Sequence, residues 1–358
     1  MNRARALGLL LGAAADALLA DPARGHPVAG FGRIAGSLER AVHRDSRLVG
    51  AAYAAVLVAG PAVVAGRVER ALGAGGRAEA GVGVGSVAEI RVGSEIRVGS
   101  EVGVRGPWSG VAVTALTAVA TWAVLGGTSL RREGHRLADE LSRSDLAAAR
   151  ARLPSLCGRD PAVLDRDGLA RAGVESLAEN TSDAVVAPLL WGAVAGLPGL
   201  VGYRAVNTLD AMVGYRNARF RRFGWAAARA DDLANLVPAR ICAVLTCVCA
   251  PVVGGSPARA LRTVRRDGRR HPSPNAGMAE AAFAGATGLR LGGELRYAHG
   301  VEHRPELGSG PRPRPADLAA AARLSGAVTV AAVAVSVGVA ALRPVAGRAA
   351  RGALERSR

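Results

Sequence analysis

Hydrophobic positions along this chain gather into long unbroken runs instead of alternating with polar ones. Residues 48–66 (LVGAAYAAVLVAGPAVVAG) and 110–130 (GVAVTALTAVATWAVLGGTSL) carry no charge. At about 1.5 Å of rise per residue, each is long enough to cross a hydrocarbon core of roughly 30 Å. Residues 324–342 (LSGAVTVAAVAVSVGVAAL) make a similar segment, and residues 6–20 (ALGLLLGAAADALLA) are apolar except for Asp16. Arg3, Arg5 and the small residues of ALLAD give that first run some look of a secretory leader, but Asp16 interrupts it, so a retained helix is expected. Two further runs are weaker. Residues 184–203 are broken by Pro188, Gly196, Pro198 and Gly199, and 241–254 is short. Both are read as re-entrant or interfacial helices. The expected architecture is all-α: a polytopic integral membrane protein of about four firm transmembrane helices plus those two segments, in one domain over residues 1–358.

Polar stretches separate the apolar ones. Residues 67–107 contain the hexapeptide EIRVGS at 89–94 and again at 95–100. A β-solenoid needs about three or more units to bury a core, so this stretch is expected to be a flexible Gly-rich insertion with no catalytic role. PELGSGPRPRP at 305–315 is a second linker candidate. Chemistry is expected in residues 131–240 and 255–323.

Composition strengthens the membrane reading: 50% of residues are hydrophobic and the mean hydropathy is +0.20. The formal charge of +17 would suit nucleic acid. Yet every basic residue is Arg, spread over loops between apolar runs, as in cytoplasmic loops of membrane proteins, and aromatic residues make up only 3%. No nucleic-acid partner is expected. The absence of Lys excludes a Gly-Lys-Ser/Thr phosphate loop and a Schiff base to pyridoxal phosphate. Cys157, Cys242, Cys247 and Cys249 lack C-x-x-C spacing and read as packing residues.

The chemistry must therefore run on carboxylates, amides, Arg and a few His, which fall in four clusters. The first is Asp21-Pro22 with His26-Pro27 and Arg33. The second, ESLAENTSD, spaces Glu175, Glu179 and Asp183 four residues apart, along one face of a helix. Aligned carboxylates repel, and a hard cation such as Mg²⁺ would relieve them, although a solvated acidic face beside Arg171 is the cheaper and usual explanation of one isolated run. The third cluster comprises Asn207, Asp210, Tyr215, Arg216, Asp231, Asp232 and Asn235. The fourth, RDGRRHPSPNAG, carries Arg266, Arg270, His271 and Asn275 on a loop that runs into a helix, a setting that suits phosphate.

ESLAENTSDAVVAPL, NTLDAMVGYRN, FGWAAARADDLANLVPAR and RDGRRHPSPNAGMAEAAFAGATGLRLGG, with HPVAGFGR near the start, resemble the signature blocks of the CobD/CbiB family, the adenosylcobinamide-phosphate synthases of cobalamin biosynthesis. The resemblance covers nearly the whole chain in order; the repeat region looks like an insertion. It implies a multi-pass enzyme of the cell membrane that joins aminopropanol, or its O-phosphate, to adenosylcobyric acid through an amide bond. ATP and Mg²⁺ are implied as helpers, since a carboxylate is a poor acyl donor. On that reading Glu175, Glu179, Asp183, Asp210, Asp231 and Asp232 supply the base or metal ligands, with Glu179, Asp183 and Asp210 for Mg²⁺. His26, Arg33, Asn180, Asn207, Tyr215, Arg216, Arg266, Arg270, His271 and Asn275 bind substrate. A transporter and a non-catalytic scaffold for corrinoid assembly stand as alternatives; membrane lipid is an expected partner, and self-association or association with other corrinoid enzymes stays open. One site holding all four clusters requires that neither 184–203 nor 241–254 crosses the membrane.

Overall fold

The computed structural model describes residues 1–22, 25–74, 108–215, 217–297 and 300–343. The EIRVGS repeat and Arg216 lie outside these described residues. Helix dominates, so the expected all-α class holds. The described sheet is one antiparallel hairpin, β1 (Leu291–Tyr297) with β2 (Gly300–Leu307), whose register slips between Leu291 and Gly293. It takes in the start of the stretch read as a linker at 305–315.

Helix α1 (Asn2–Leu19) is followed by α2 (Pro27–Val42), α3 (Arg47–Ala74) and α4 (Trp108–Val124). Backbones of α1 and α4 approach closely because Gly8 and Gly12 lie against Thr117 and Thr121; a Cβ on Gly8 would fall 2.5 Å from Thr117 Cβ. That is the small-residue packing used where no hydrophobic effect drives helices together. Next come α5 (Gly127–Ser142), α6 (Leu146–Arg152) and α7 (Arg166–Thr181). A π turn at Ser182–Val186 joins α7 to α8 (Ala187–Ala195), which ends at Gly196 with φ +70°. The remaining helices are α9 (Leu197–Val213), α10 (Trp225–Ala234), α11 (Leu236–Cys249), α12 (Pro257–Asp267), α13 (Ala276–Thr287) and α14 (Pro315–Leu342). The larger apolar core surrounds α7, α13 and α14, and a smaller one packs Ala35, Tyr53, Leu209 and Phe223.

Four described helices are long and apolar enough to cross a membrane: Arg47–Gly73, Ser109–Ser142, Leu236–Val253 and Pro315–Leu342. The count of four holds, but its membership differs from the sequence expectation. The first helix, with Arg3, Arg5 and Asp16, is replaced by the segment around 241–254. Segment 184–203 gives no single long helix, because Gly196 divides it into α8 and α9.

Leu236–Val253 behaves unlike the other three. The protein itself buries 44% of its apolar window, against 22% for Arg47–Gly73. After it, α12 and the loop beyond bring the chain back to its starting end, where Arg240 Nη1 donates to Asn275 Oδ1 at 3.2 Å. The returning α12 exposes Arg262, Arg265 and Arg266, which hydrocarbon would not tolerate. Arg240 and Asn275 thus meet at one end of α11.

Candidate functional site

The acidic site is built on α7, and its position follows from that helix's composition. Asp165 caps its start, accepting from Gly168 N at 2.7 Å, and residues 169–178 are buried on all sides. Glu175 and Glu179 share a face at i, i+4, and the π turn carries that line on to Asp183. π turns frequently mark functional positions, since they re-aim side chains at the cost of regular hydrogen bonding. Across from them, α9 and α10 bring Asp210, Asp231 and Asp232. Asp231 is held from two sides: Asn235 Nδ2 donates to it at 3.0 Å and Asn207 Nδ2 at 3.4 Å. Tyr203 Oη lies 3.0 Å from the Asp183 carbonyl and 2.9 Å from Asn235 Oδ1, tying the π turn to α10.

These carboxylates raise one another's pKa. Burial, then repulsion from Asp231, Glu179 and Asp210, pushes Asp183 well above the usual carboxylate range. Burial, then Asp231, Asp232 and Glu179, pushes Asp210 up to about 7. Burial pushes Asp231 up to about 6, with Asp232 and Glu179 adding and its two Asn donors opposing. Glu179 is also raised by its protein surroundings, against Arg304 and Arg159, yet it keeps exposed surface. Glu179 is thus where this packed group of carboxylates, the acidic crevice, opens to solvent. Arg204 brings positive charge to Asp183 and to Asp21, while its Nε has no partner. Asp21, within reach of the Arg204 charge, lies 3.5 Å from His26 Nε2. His26 Nδ1 meanwhile caps α2, accepting from Val28 N at 3.2 Å.

On the other side of Glu179, Glu175 and Asp267 are partnered. Glu175, 2% exposed, takes a hydrogen bond from Arg159 and another from Gly292 N at 2.6 Å, fastening α7 to β1. Asp267 is buried, which alone would raise it, but Arg266, Gly308 N and Arg270 bind it and hold it below the ordinary value. His271 is pushed down to about 4 by burial and Arg304 and so is neutral. Its Nε2 lies 3.2 Å from Arg304 Nη1 and 3.9 Å from Glu280 Oε1. Burial and the charges of Glu175 and Glu179 raise Glu280 well above the ordinary value. Asn275 Nδ2 donates to the Asp232 carbonyl at 2.8 Å, joining the third cluster to the fourth.

Of the residues expected from sequence, the fold draws Glu179, Asp183, Asn207, Asp210, Asp231 and Asp232 together. Glu175 and Asn275 brace it from within the fold. Asn180 directs its amide to its own helix, donating to the Ser176 carbonyl at 2.9 Å. Arg266 and Arg270 hold Asp267. Arg33 is exposed on α2 and Tyr215 is 54% exposed. Sequence reasoning missed Tyr203, Arg204, Arg159, Arg304 and the role of Glu280. Tyr203-Arg204 could have been found: Arg204 precedes Asn207 by three residues, one turn along the same helical face.

The donor set suits a hard cation in kind, being carboxylate and amide oxygen. No three His, Cys, Asp or Glu side chains among the described residues converge on one point that could hold a metal. Mg²⁺ does not require such a cage, since it keeps several waters and binds through one or two carboxylates plus substrate phosphate.

Long apolar helices around a crevice of mutually raised carboxylates define a polytopic membrane protein with an internal polar site. The family model described as CobD/Cbib protein matches residues 9–325. Over 333 residues the chain is 50% identical to the cobalamin biosynthesis protein CobD of Mycobacterium tuberculosis (strain ATCC 25618 / H37Rv), covering 93% of this chain and 95% of that protein. It is 42% identical over 304 residues to the CobD of Stutzerimonas stutzeri (strain A1501), covering 84% and 86%. To the CobD of Rhodobacter capsulatus it is 49% identical over 213 residues, covering 59% and 66%. No solved structure matches. The chain belongs to the CobD/Cbib family.

Proposed function

We propose that this protein is a multi-pass enzyme of the cell membrane in cobalamin biosynthesis, forming the amide bond between adenosylcobyric acid and aminopropanol or its O-phosphate. Family membership supports the pathway. The observation that carries the chemistry is the crevice, where Asp210 and Asp231 sit at about 7 and about 6.

An amine attacks only as the free base, so its ammonium form must lose a proton first. A carboxylate poised near neutral pH is a competent acceptor, because it combines the deprotonated form with adequate basicity. Asp210 and Asp231 are the proposed bases, while Asn207 and Asn235 fix Asp231 in place. The surrounding negative charge attracts the incoming ammonium and aligns it. Arg204, with its unpartnered Nε, would orient an anionic group of the substrate. ATP would supply activation of the acyl carboxylate, with Mg²⁺ offsetting phosphate charge, and one or two of Glu179, Asp183 and Asp210 would hold the ion together with the substrate phosphate.

The test is direct. Purified protein is incubated with adenosylcobyric acid, ATP, Mg²⁺ and each amine in turn, with product followed by mass. Adenosylcobinamide or its phosphate is expected with one amine. No amide product with either amine, from protein shown to be folded, overturns the reading.

A further inference from the structure

We propose that the face where the end of α2, the start of α3 and the turn at 217–224 meet is a docking surface for acidic phospholipid of the surrounding bilayer. This goes beyond the amide chemistry and does not depend on it. The face stands at a membrane boundary, because the apolar helix Arg47–Gly73 is long enough to span and begins just after α2 ends at Val42.

Six arginines are exposed there: Arg40 on α2, Arg44 in the link, Arg47 at the start of α3, and Arg219, Arg221 and Arg222 in the turn. Two acids answer them. Glu39, buried, pairs with Arg219 at 2.8 Å, and Asp45, exposed, pairs with Arg222 at 3.4 Å. Among the described residues Arg40, Arg44, Arg47 and Arg221 form no ion pair, and Arg40 donates only to the Ser37 hydroxyl, at 3.1 Å. The charges are held on one surface. Gly50 lies so close to the Phe223 carbonyl that a Cβ would meet its oxygen at 1.8 Å, and His43 Nε2 is 3.1 Å from the Arg219 carbonyl. The His43 ring also packs on Phe223, with centroids 4.9 Å apart, so the turn is fastened to the α2–α3 link.

Apolar side chains are exposed between these arginines: Leu48 at 83%, Ile34 at 65% and Trp225 at 42%. The Arg47 guanidinium stands over the Trp225 ring, 5.4 Å from its centroid. Arg beside exposed aliphatic and indole groups fits the headgroup zone, where phosphate and acyl carbon lie within reach of each other and Trp is favoured. A soluble polyanion would leave Leu48 and Ile34 in water. A cluster of four to eight basic residues next to a span is the composition that attracts acidic lipid, and a phosphodiester accepts the forked donors of Arg.

The experiment reconstitutes the full-length protein in phosphatidylcholine vesicles carrying acyl-brominated lipid, either phosphatidylglycerol or phosphatidylcholine. The readout is quenching of Trp225, taken as the difference from a Trp225→Phe variant. Phosphatidylglycerol should be preferred by about fivefold or more, since one basic side chain at an acidic surface is worth about that factor. The preference should shrink as salt is added. Arg40→Gln, Arg44→Gln and Arg221→Gln combined, all at exposed positions, should remove most of it. Equal quenching by the two lipids in wild type would overturn the proposal, as would a triple variant that keeps the wild-type preference. Loss of the preference to a poly-glutamate peptide at equal charge concentration would instead make the face a dock for an acidic protein segment.

Discussion

Asp267 is a buried carboxylate and Asp210 a half-buried one, and they are treated in opposite ways. Asp267 is bonded by Arg266, Arg270 and Gly308 N and held below its ordinary pKa. Desolvation, then the charges of Asp231, Asp232 and Glu179, pushes Asp210 up to about 7. The first arrangement stabilises a loop. The second costs stability and persists because the rest of the fold enforces it, which is characteristic of a site that binds or reacts. Opposite-charge partners set Asp267 apart from Asp210.

The largest test of this contrast is Asp183→Asn, which removes an ionisable carboxyl from among the clustered acids with little change of shape. It should reduce condensation turnover at least about 100-fold while the protein stays folded. Unchanged turnover would end the functional assignment of the crevice. Asp267→Asn should do the reverse. It should destabilise by about 2 kcal/mol, discounted for the exposure of both Arg partners, with turnover per folded molecule largely kept. Denaturant unfolding and specific activity measured on the same preparation distinguish the two.

pH gives a third test. Asp210 has its pKa raised in the fold, so the folded state holds a proton that the unfolded state releases. Its contribution to stability is present at low pH and fades as pH rises from the ordinary carboxylate value through about 7. Turnover should move oppositely, rising between about pH 6 and about 7 as the bases deprotonate. Asp210→Asn should remove the higher step and raise stability near neutral pH. A flat profile in wild type would contradict the proposed bases. The smallest effect is expected at Arg33, exposed on α2: Arg33→Ala should alter turnover less than about threefold, as surface changes usually do. A larger loss would bring the first cluster's Arg into the site.

Much of the acidic crevice was legible in the residue pattern. The spacing of Glu175, Glu179 and Asp183 set a carboxylate row along one helix, and the blocks around Asp210 and Asp231 supplied its counterpart. Legibility failed where partners come from distant segments. Nothing local marks Glu175 as bound by Arg159 and by the backbone of Gly292, or Arg266 as the partner of Asp267. The hairpin was likewise unseen, because its Gly and Arg content lacks alternating hydrophobicity. The segment at 241–254 reads as a short apolar run, whereas in the fold it belongs to Leu236–Val253, long and apolar enough to cross a membrane.

By itself, then, the sequence determined the helical class, the apolar spans, the family and the residue types available for chemistry, since those depend on local composition and period. Tertiary structure alone decided which carboxylates stand unpartnered beside one another and which are neutralised. Electrostatic energy depends on distances between groups far apart in the chain, and no spacing along a single segment encodes those distances.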